Sequence, residues 1–120
     1  MLSMSKMIEI PRGDSIFVTF ESPIPIDDRT VKFTVKQDTK DPDTQAIIQH
    51  STNDGGIEVV SVEDRLVRLA LDPGDTVGLS PRDYFYDVKV IWTDGGRLRR
   101  KTIVHDRFKV LPVVYRGENS

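Results

Sequence analysis

Apolar and polar residues alternate along most of this chain, and no stretch repeats at helical spacing for ten residues or more. The alternation is sharpest from Tyr84 to Thr93. Tyr84, Tyr86, Val88, Val90 and Trp92 fall on one face, and Phe85, Asp87, Lys89, Ile91 and Thr93 on the other. A two-residue period built from aromatic and β-branched residues marks a strand half-buried in a sheet. The first set is wholly apolar or aromatic and is the predicted core face. Leu79-Ser80-Pro81 before it reads as a corner where the chain crosses between sheets.

The same pattern predicts the other strands. Met7–Pro11 is a short extended piece, and Arg12-Gly13-Asp14 a turn. Ser15–Glu21 sets Ile16, Val18 and Phe20 against Phe17 and Thr19. Pro23 and Pro25 mark an edge or linking loop, because proline cannot donate to a ladder. Thr30–Lys36 turns Val31, Phe33 and Val35 inward and Lys32, Thr34 and Lys36 outward. Residues 37–43 form a polar loop, and Gln45–His50 a strand whose faces the continuous run Ala46-Ile47-Ile48 leaves unassigned. A turn over Ser51–Gly56 leads to Ile57–Val62. Leu66–Leu71 buries Val67, Leu69 and Leu71 and is stopped by Asp72-Pro73-Gly74, and Asp75–Leu79 is expected to make one helical turn. Asp94-Gly95-Gly96 joins two alternating runs and is a strong hairpin signal. Arg97–His105 is the return strand and Arg107–Val114 the last, with Phe108, Val110 and Pro112 on one face. Seven or eight strands with turn signals every 8 to 12 residues predict an all-β antiparallel sandwich over residues 7–114. A small β-barrel is the alternative. Residues 1–6 read as a flexible arm and 115–120 as a polar tail.

A chain of 120 residues matches one such domain. A 38% hydrophobic content suits strands that bury one face, and 30% charged residues solvate the other. The net charge of −2 gives no general attraction to nucleic acid or to an anionic membrane. There is no cysteine, which excludes disulfides and thiolate chemistry. No segment approaches the roughly 18 apolar residues of a membrane-spanning helix, and the start lacks a signal peptide's apolar run.

Candidate chemistry is sparse. Arg12-Gly13-Asp14 matches the integrin-recognition tripeptide, but the plain reading is a tight turn in which Gly13 supplies a positive φ. Asp38, Asp41 and Asp43 share a loop at spacing that suits calcium, yet the loop has Pro42 and lacks the central glycine and closing glutamate of a calcium loop. His50 and His105 lie on separate strands, without partners at metal-ligand spacing. No nucleophile elbow, phosphate loop or carboxylate pair is present, so no catalytic, metal or cofactor site is expected. Arg97, Arg99, Arg100 and Lys101 cluster beyond the hairpin, with Arg97, Arg99 and Lys101 on one face. On an edge strand such charges prevent sheet-to-sheet aggregation, and they also suit docking to an acidic surface of a partner.

The line Leu79-x-Pro81-x-x-Tyr84-x-Tyr86-x-Val88-x-Val90 resembles the tyrosine corner of immunoglobulin-like and fibronectin-type-III-like sandwiches. That resemblance implies that the Tyr84 hydroxyl reaches back to the preceding backbone and that Tyr86 packs into the core. The longer arrangement runs through Arg12–Phe20, Val31–Val35, Ala46–Gln49, Gly56-Ile57, Leu66–Leu71, Leu79–Val90 and Asp94–Gly96. It resembles the small immunoglobulin-like domains of tailed bacteriophages, such as the amino-terminal domain of baseplate upper proteins. Those domains open with a Gly-Asp-Ser/Thr turn and carry a Tyr-x-Tyr-Asp-Leu/Val strand before an Asp-Gly hairpin. The resemblance covers about residues 8 to 112. It implies a non-catalytic structural protein of a phage particle, in the tail, baseplate or neck. Such a protein would be made in the host cytoplasm, dock other virion proteins, and be present as a homo-oligomer or in many copies. A capsid decoration protein, or a host-surface carbohydrate-binding module using Phe85 and Tyr115, is the alternative.

Overall fold

Two apolar strand faces, each too wide for one sheet to cover alone, close against each other. The computed structural model describes residues 6–113. Its strands are β1 (Ile8–Pro11), β2 (Ile16–Glu21), β3 (Thr30–Lys36), β4 (Ile48–Ser51), β5 (Ile57–Ser61), β6 (Leu66–Leu71), β7 (Arg82–Asp94) and β8 (Arg97–Leu111); one helical turn, α1 (Pro73–Thr76), lies between β6 and β7. One sheet has the order β1-β8-β7-β3-β4 and the other β2-β6-β5. Two separate sheets in this order make an all-β sandwich, and the barrel alternative falls away. Every pairing is antiparallel except β1 with β8, which runs parallel from Ile8↔Phe108 to Pro11↔Leu111.

The core is the sum of the inward rows. Val31, Phe33 and Val35, Val67 and Leu69, and Val88 and Val90 are all fully buried. Tyr84 and Tyr86 are each 3% exposed. Phe33 sits between Tyr86 and Phe108, with ring centroids at 5.4 and 6.1 Å. The corner before β7 forms as the resemblance implies: the Tyr84 hydroxyl donates to the Ser80 carbonyl at 2.9 Å. The Tyr86 hydroxyl donates to the Lys6 carbonyl. Burial pushes the Tyr86 phenol well above its ordinary pKa, and the nearby Asp106 carboxylate adds to the shift. Lys6, at the edge of the expected arm, also donates from Nζ to the Thr19 carbonyl at 3.1 Å. Met1–Ser5 and the tail lie outside the described residues.

Several predicted boundaries move. Gln45–His50 splits: a 3₁₀ turn occupies Asp43–Gln45, and β4 begins only at Ile48. The helical turn starts at Pro73, not Asp75, because Asp72 is the N-cap and proline suits the first helical position. Thr34 faces outward as expected, yet it is 2% exposed in the middle of the five-stranded sheet. Pro112 lies beyond the last strand and is exposed rather than part of a core row. The two expected strands after the hairpin are one, the 15-residue β8. Val88 pairs with Val104 and Lys89 with Thr102, so Ile103 is an extra residue in a β-bulge. Ile103 and Val104 are consecutive and both fully buried.

Candidate functional site

β7 and β8 outrun the rest of their sheet. β3 pairs with β7 only as far as Thr30↔Ile91. The hairpin continues through Trp92↔Arg99, Thr93↔Leu98 and Asp94↔Arg97, a projection of about 10 Å at the rise of a strand. Gly95 and Gly96 close it with φ of 57° and 82°. Positive φ at both central positions is a type I′ turn, whose twist matches the flanking strands. Arg97 and Arg99 are exposed on this arm, and Arg100 and Lys101 are exposed at its base, opposite Ile91 and Val90. None of them makes an ion pair with another described residue.

Cross-strand partners share a face, so the register places Arg97, Arg99 and Lys101 on the side of Trp92 and Val90, and Arg100 on the opposite side. Trp92 continues the core row but is only half-buried, one pair beyond the end of β3. The Arg29 guanidinium lies over its ring at 4.2 Å from the centroid. The arm therefore combines a cation-capped aromatic with a basic face.

The outer face of the five-stranded sheet carries a depression of about 260 Å³ lined by Thr34, Lys36, Phe85, Asp87, Thr102 and His105. Asp87 Oδ2 is 3.5 Å from Lys89 Nζ. Asp87 Oδ1 is buried without a hydrogen-bond partner among the described residues. The site brings His105 opposite Asp87 across β7 and β8, a pairing that sequence spacing could not show. It offers an acceptor, hydroxyls and the half-buried ring of Phe85 to a small polar ligand.

The remaining candidates have structural roles. The Asp14 amide donates to the Pro11 carbonyl at 3.0 Å, and Gly13 has a φ of 85°. The Gly13 amide donates to Oγ1 of the buried Thr76 at 2.8 Å, so Arg12-Gly13-Asp14 is a tight turn pinned to α1 and not an extended recognition loop. Asp38 Oδ1 accepts from the Lys40 amide and Asp41 Oδ2 from the Asp38 amide, which spends both carboxylates on their own loop. The Asp43 side chain lies outside the described positions, as does Tyr115. Among the described residues no three acidic, histidine or cysteine side chains converge as a metal site would require.

His50 has a partner that sequence reading missed. Its Nε2 lies 3.1 Å from Asp75 Oδ1, while Asp75 Oδ2 accepts from the Asp72 amide at 2.8 Å. One carboxylate thus caps α1 and ties it to β4. The Asp54 carboxyl is held below its usual pKa by amide hydrogen bonds from Ser51 and Gly56, with a smaller contribution from His50. Comparison with known proteins adds no family: no protein-family model matches the chain, and no curated protein matches its sequence.

Proposed function

We propose that this chain is a non-catalytic structural module of a bacteriophage particle, a tail, baseplate or neck component that docks neighbouring virion proteins. The observation that carries the reading is the hairpin arm. Its four cations are exposed and unpaired among the described residues, Arg97 and Arg99 on the two-stranded projection and Arg100 and Lys101 at its base, which is how a surface presents charge to a partner rather than to its own fold. The tyrosine corner and the single sandwich core agree with the immunoglobulin-like phage domains that the sequence resembles. The role is binding without turnover. Many copies per particle turn individually weak contacts into firm attachment, and neither nucleic acid nor membrane is a partner. Mass spectrometry of purified particles is expected to find the protein in many copies, and its absence from them refutes the reading. A host-surface carbohydrate-binding role is the second reading. The depression beside Phe85, with the unpaired Asp87 oxygen as an acceptor for a hydroxyl, favours it, and a glycan array tests it.

A further inference from the structure

We infer that the open edge of β8 is a strand-addition site whose occupant is an extended, acidic segment of a partner protein. The inference rests on the docking reading and deepens it by naming the mode of contact and the chemistry of the partner.

β8 is flanked by β7 on one side, but on the other β1 covers only Phe108–Leu111. The remaining eleven residues, Arg97–Arg107, have no strand on their outer edge among the described residues. At the rise of a strand that is about 36 Å of backbone. On either side of the bulge at Ile103, alternate residues direct an amide and a carbonyl outward, as an unpaired sheet edge does. The other sheet edges are shorter. β4 has four residues, β5 five and β2 six, and β2 already has the Lys6 ammonium on its Thr19 carbonyl. The β5 edge has the exposed apolar residues Val59 and Val60 but nothing that would select a partner.

Charge decides what β8 accepts. Arg97, Arg99, Arg100 and Lys101 lie on the open run, with Arg107 at its far end and Asp106 as the one acid. A second copy of this chain pairing along the same edge would set these cations against cations, and like charges opposite one another destabilise a ladder. The basic edge therefore excludes its own copies, which is the usual protective use of such residues. It also admits a strand of opposite sign, because one element supplies both the repulsion and the attraction. Main-chain hydrogen bonds would provide the affinity and the carboxylates the choice of partner.

The test uses the whole protein and an acidic peptide of about ten residues alternating glutamate and threonine, which favours an extended chain. At low salt the peptide is expected to bind and to slow amide hydrogen exchange at alternate residues on each side of the Ile103 bulge, between Leu98 and Asp106. The same peptide with lysine for glutamate is expected not to bind. The triple variant R99E/R100E/K101E alters only exposed side chains, and circular dichroism checks that it folds. It should bind the acidic peptide at least about tenfold more weakly and gain affinity for the lysine peptide. A proline-interrupted acidic peptide separates strand addition from simple charge adhesion. Equal binding of that peptide overturns the inference, as does absence of binding, protection at β4 or β5 instead, or binding that the charge reversal leaves unchanged. If the protein is found in phage particles but the peptide fails, the edge is wrong and the particle role stands. If the peptide binds but the protein is absent from particles, the reverse holds.

Discussion

Gly56→Ala probes how the His50 contact is built. Gly56 is not in the left-handed region, so alanine can adopt its backbone, and the cost comes from space alone. A Cβ placed there would lie 2.5 Å from His50 Nδ1, 2.6 Å from Cγ and 2.7 Å from Cβ. Rotating the imidazole clears the first two contacts but not the third, which belongs to the start of the side chain. Rotation also pulls Nε2 away from Asp75 Oδ1, now at 3.1 Å. Inserting a methyl group into filled space costs about 1–3 kcal/mol. Losing the partly exposed His50–Asp75 contact adds about 1 kcal/mol at most, after allowing for solvent screening. Alanine gives back about 0.4–1 kcal/mol by restricting the unfolded chain. The net is a destabilisation of about 2 kcal/mol, or a fall of about 8 °C in Tm at about 4 °C per kcal/mol.

The assay is urea and thermal denaturation, followed by circular dichroism, of Gly56→Ala, His50→Ala and the double variant. His50→Ala removes two of the three close atoms and leaves Cβ. Gly56→Ala should therefore cost about 1 kcal/mol less in that background than in the wild type, a coupling of the size found between touching residues. A neutral or stabilising Gly56→Ala, or one equally costly with and without the imidazole, would show that the ring does not lie over the glycine.

Three further outcomes follow from the same contacts. Tyr84→Phe removes the hydroxyl that donates to the Ser80 carbonyl; Ser80 is exposed and can be rehydrated, so the cost should be near the lower end of about 0.5–1.5 kcal/mol, read by denaturant midpoint. Phe33→Ala empties a fully buried site between Tyr86 and Phe108 and should cost about 3–5 kcal/mol, a large share of a domain's total stability, read as a steep fall in Tm. Asp54 has a folded pKa below the ordinary carboxylate value, so below about pH 4 the unfolded chain binds more protons and stability falls as pH drops through the folded pKa. Asp54→Asn keeps an acceptor without the titration, so the stability gap between wild type and variant should shrink across that acid range in pH-dependent denaturation.

Alternation reveals those strands that keep one parity from end to end. Val31, Phe33 and Val35, then Val67, Leu69 and Leu71, then Tyr84 to Val90 all do so, and all are buried as their spacing demands. The expected helical turn falls two residues late because Asp72-Pro73-Gly74 carries two messages. It stops a strand, and it also supplies an N-cap and a first-turn proline, so the same residues that end β6 start the helix. The His50–Asp75 and Arg29–Trp92 contacts leave no local mark, because each depends on which loops the sandwich brings together. Arg29 reaches Trp92 through the β3–β7 register, which sets the adjacent Thr30 opposite Ile91.

β8 shows how one residue can hide a strand and shape its surface. Phe108, Val110 and Val104 face the core from even-numbered positions, whereas Arg97, Arg99 and Lys101 share that side from odd-numbered ones. A ladder without an extra residue cannot hold both sets on one face, so the sequence reads as two strands meeting near His105. Ile103 supplies the missing step. It switches the parity, and the cations that would otherwise point to the outer face turn to the side of Trp92. That side would be core if the three-stranded sheet extended under it, and an inward arginine there would be prohibitively desolvated. β3 stops at Ile91's partner, the hairpin projects past it, and Arg97 and Arg99 remain exposed there. The bulge and the overhang are thus two parts of one device. The first aims the charge, the second keeps it in water, and neither would present a basic face without the other.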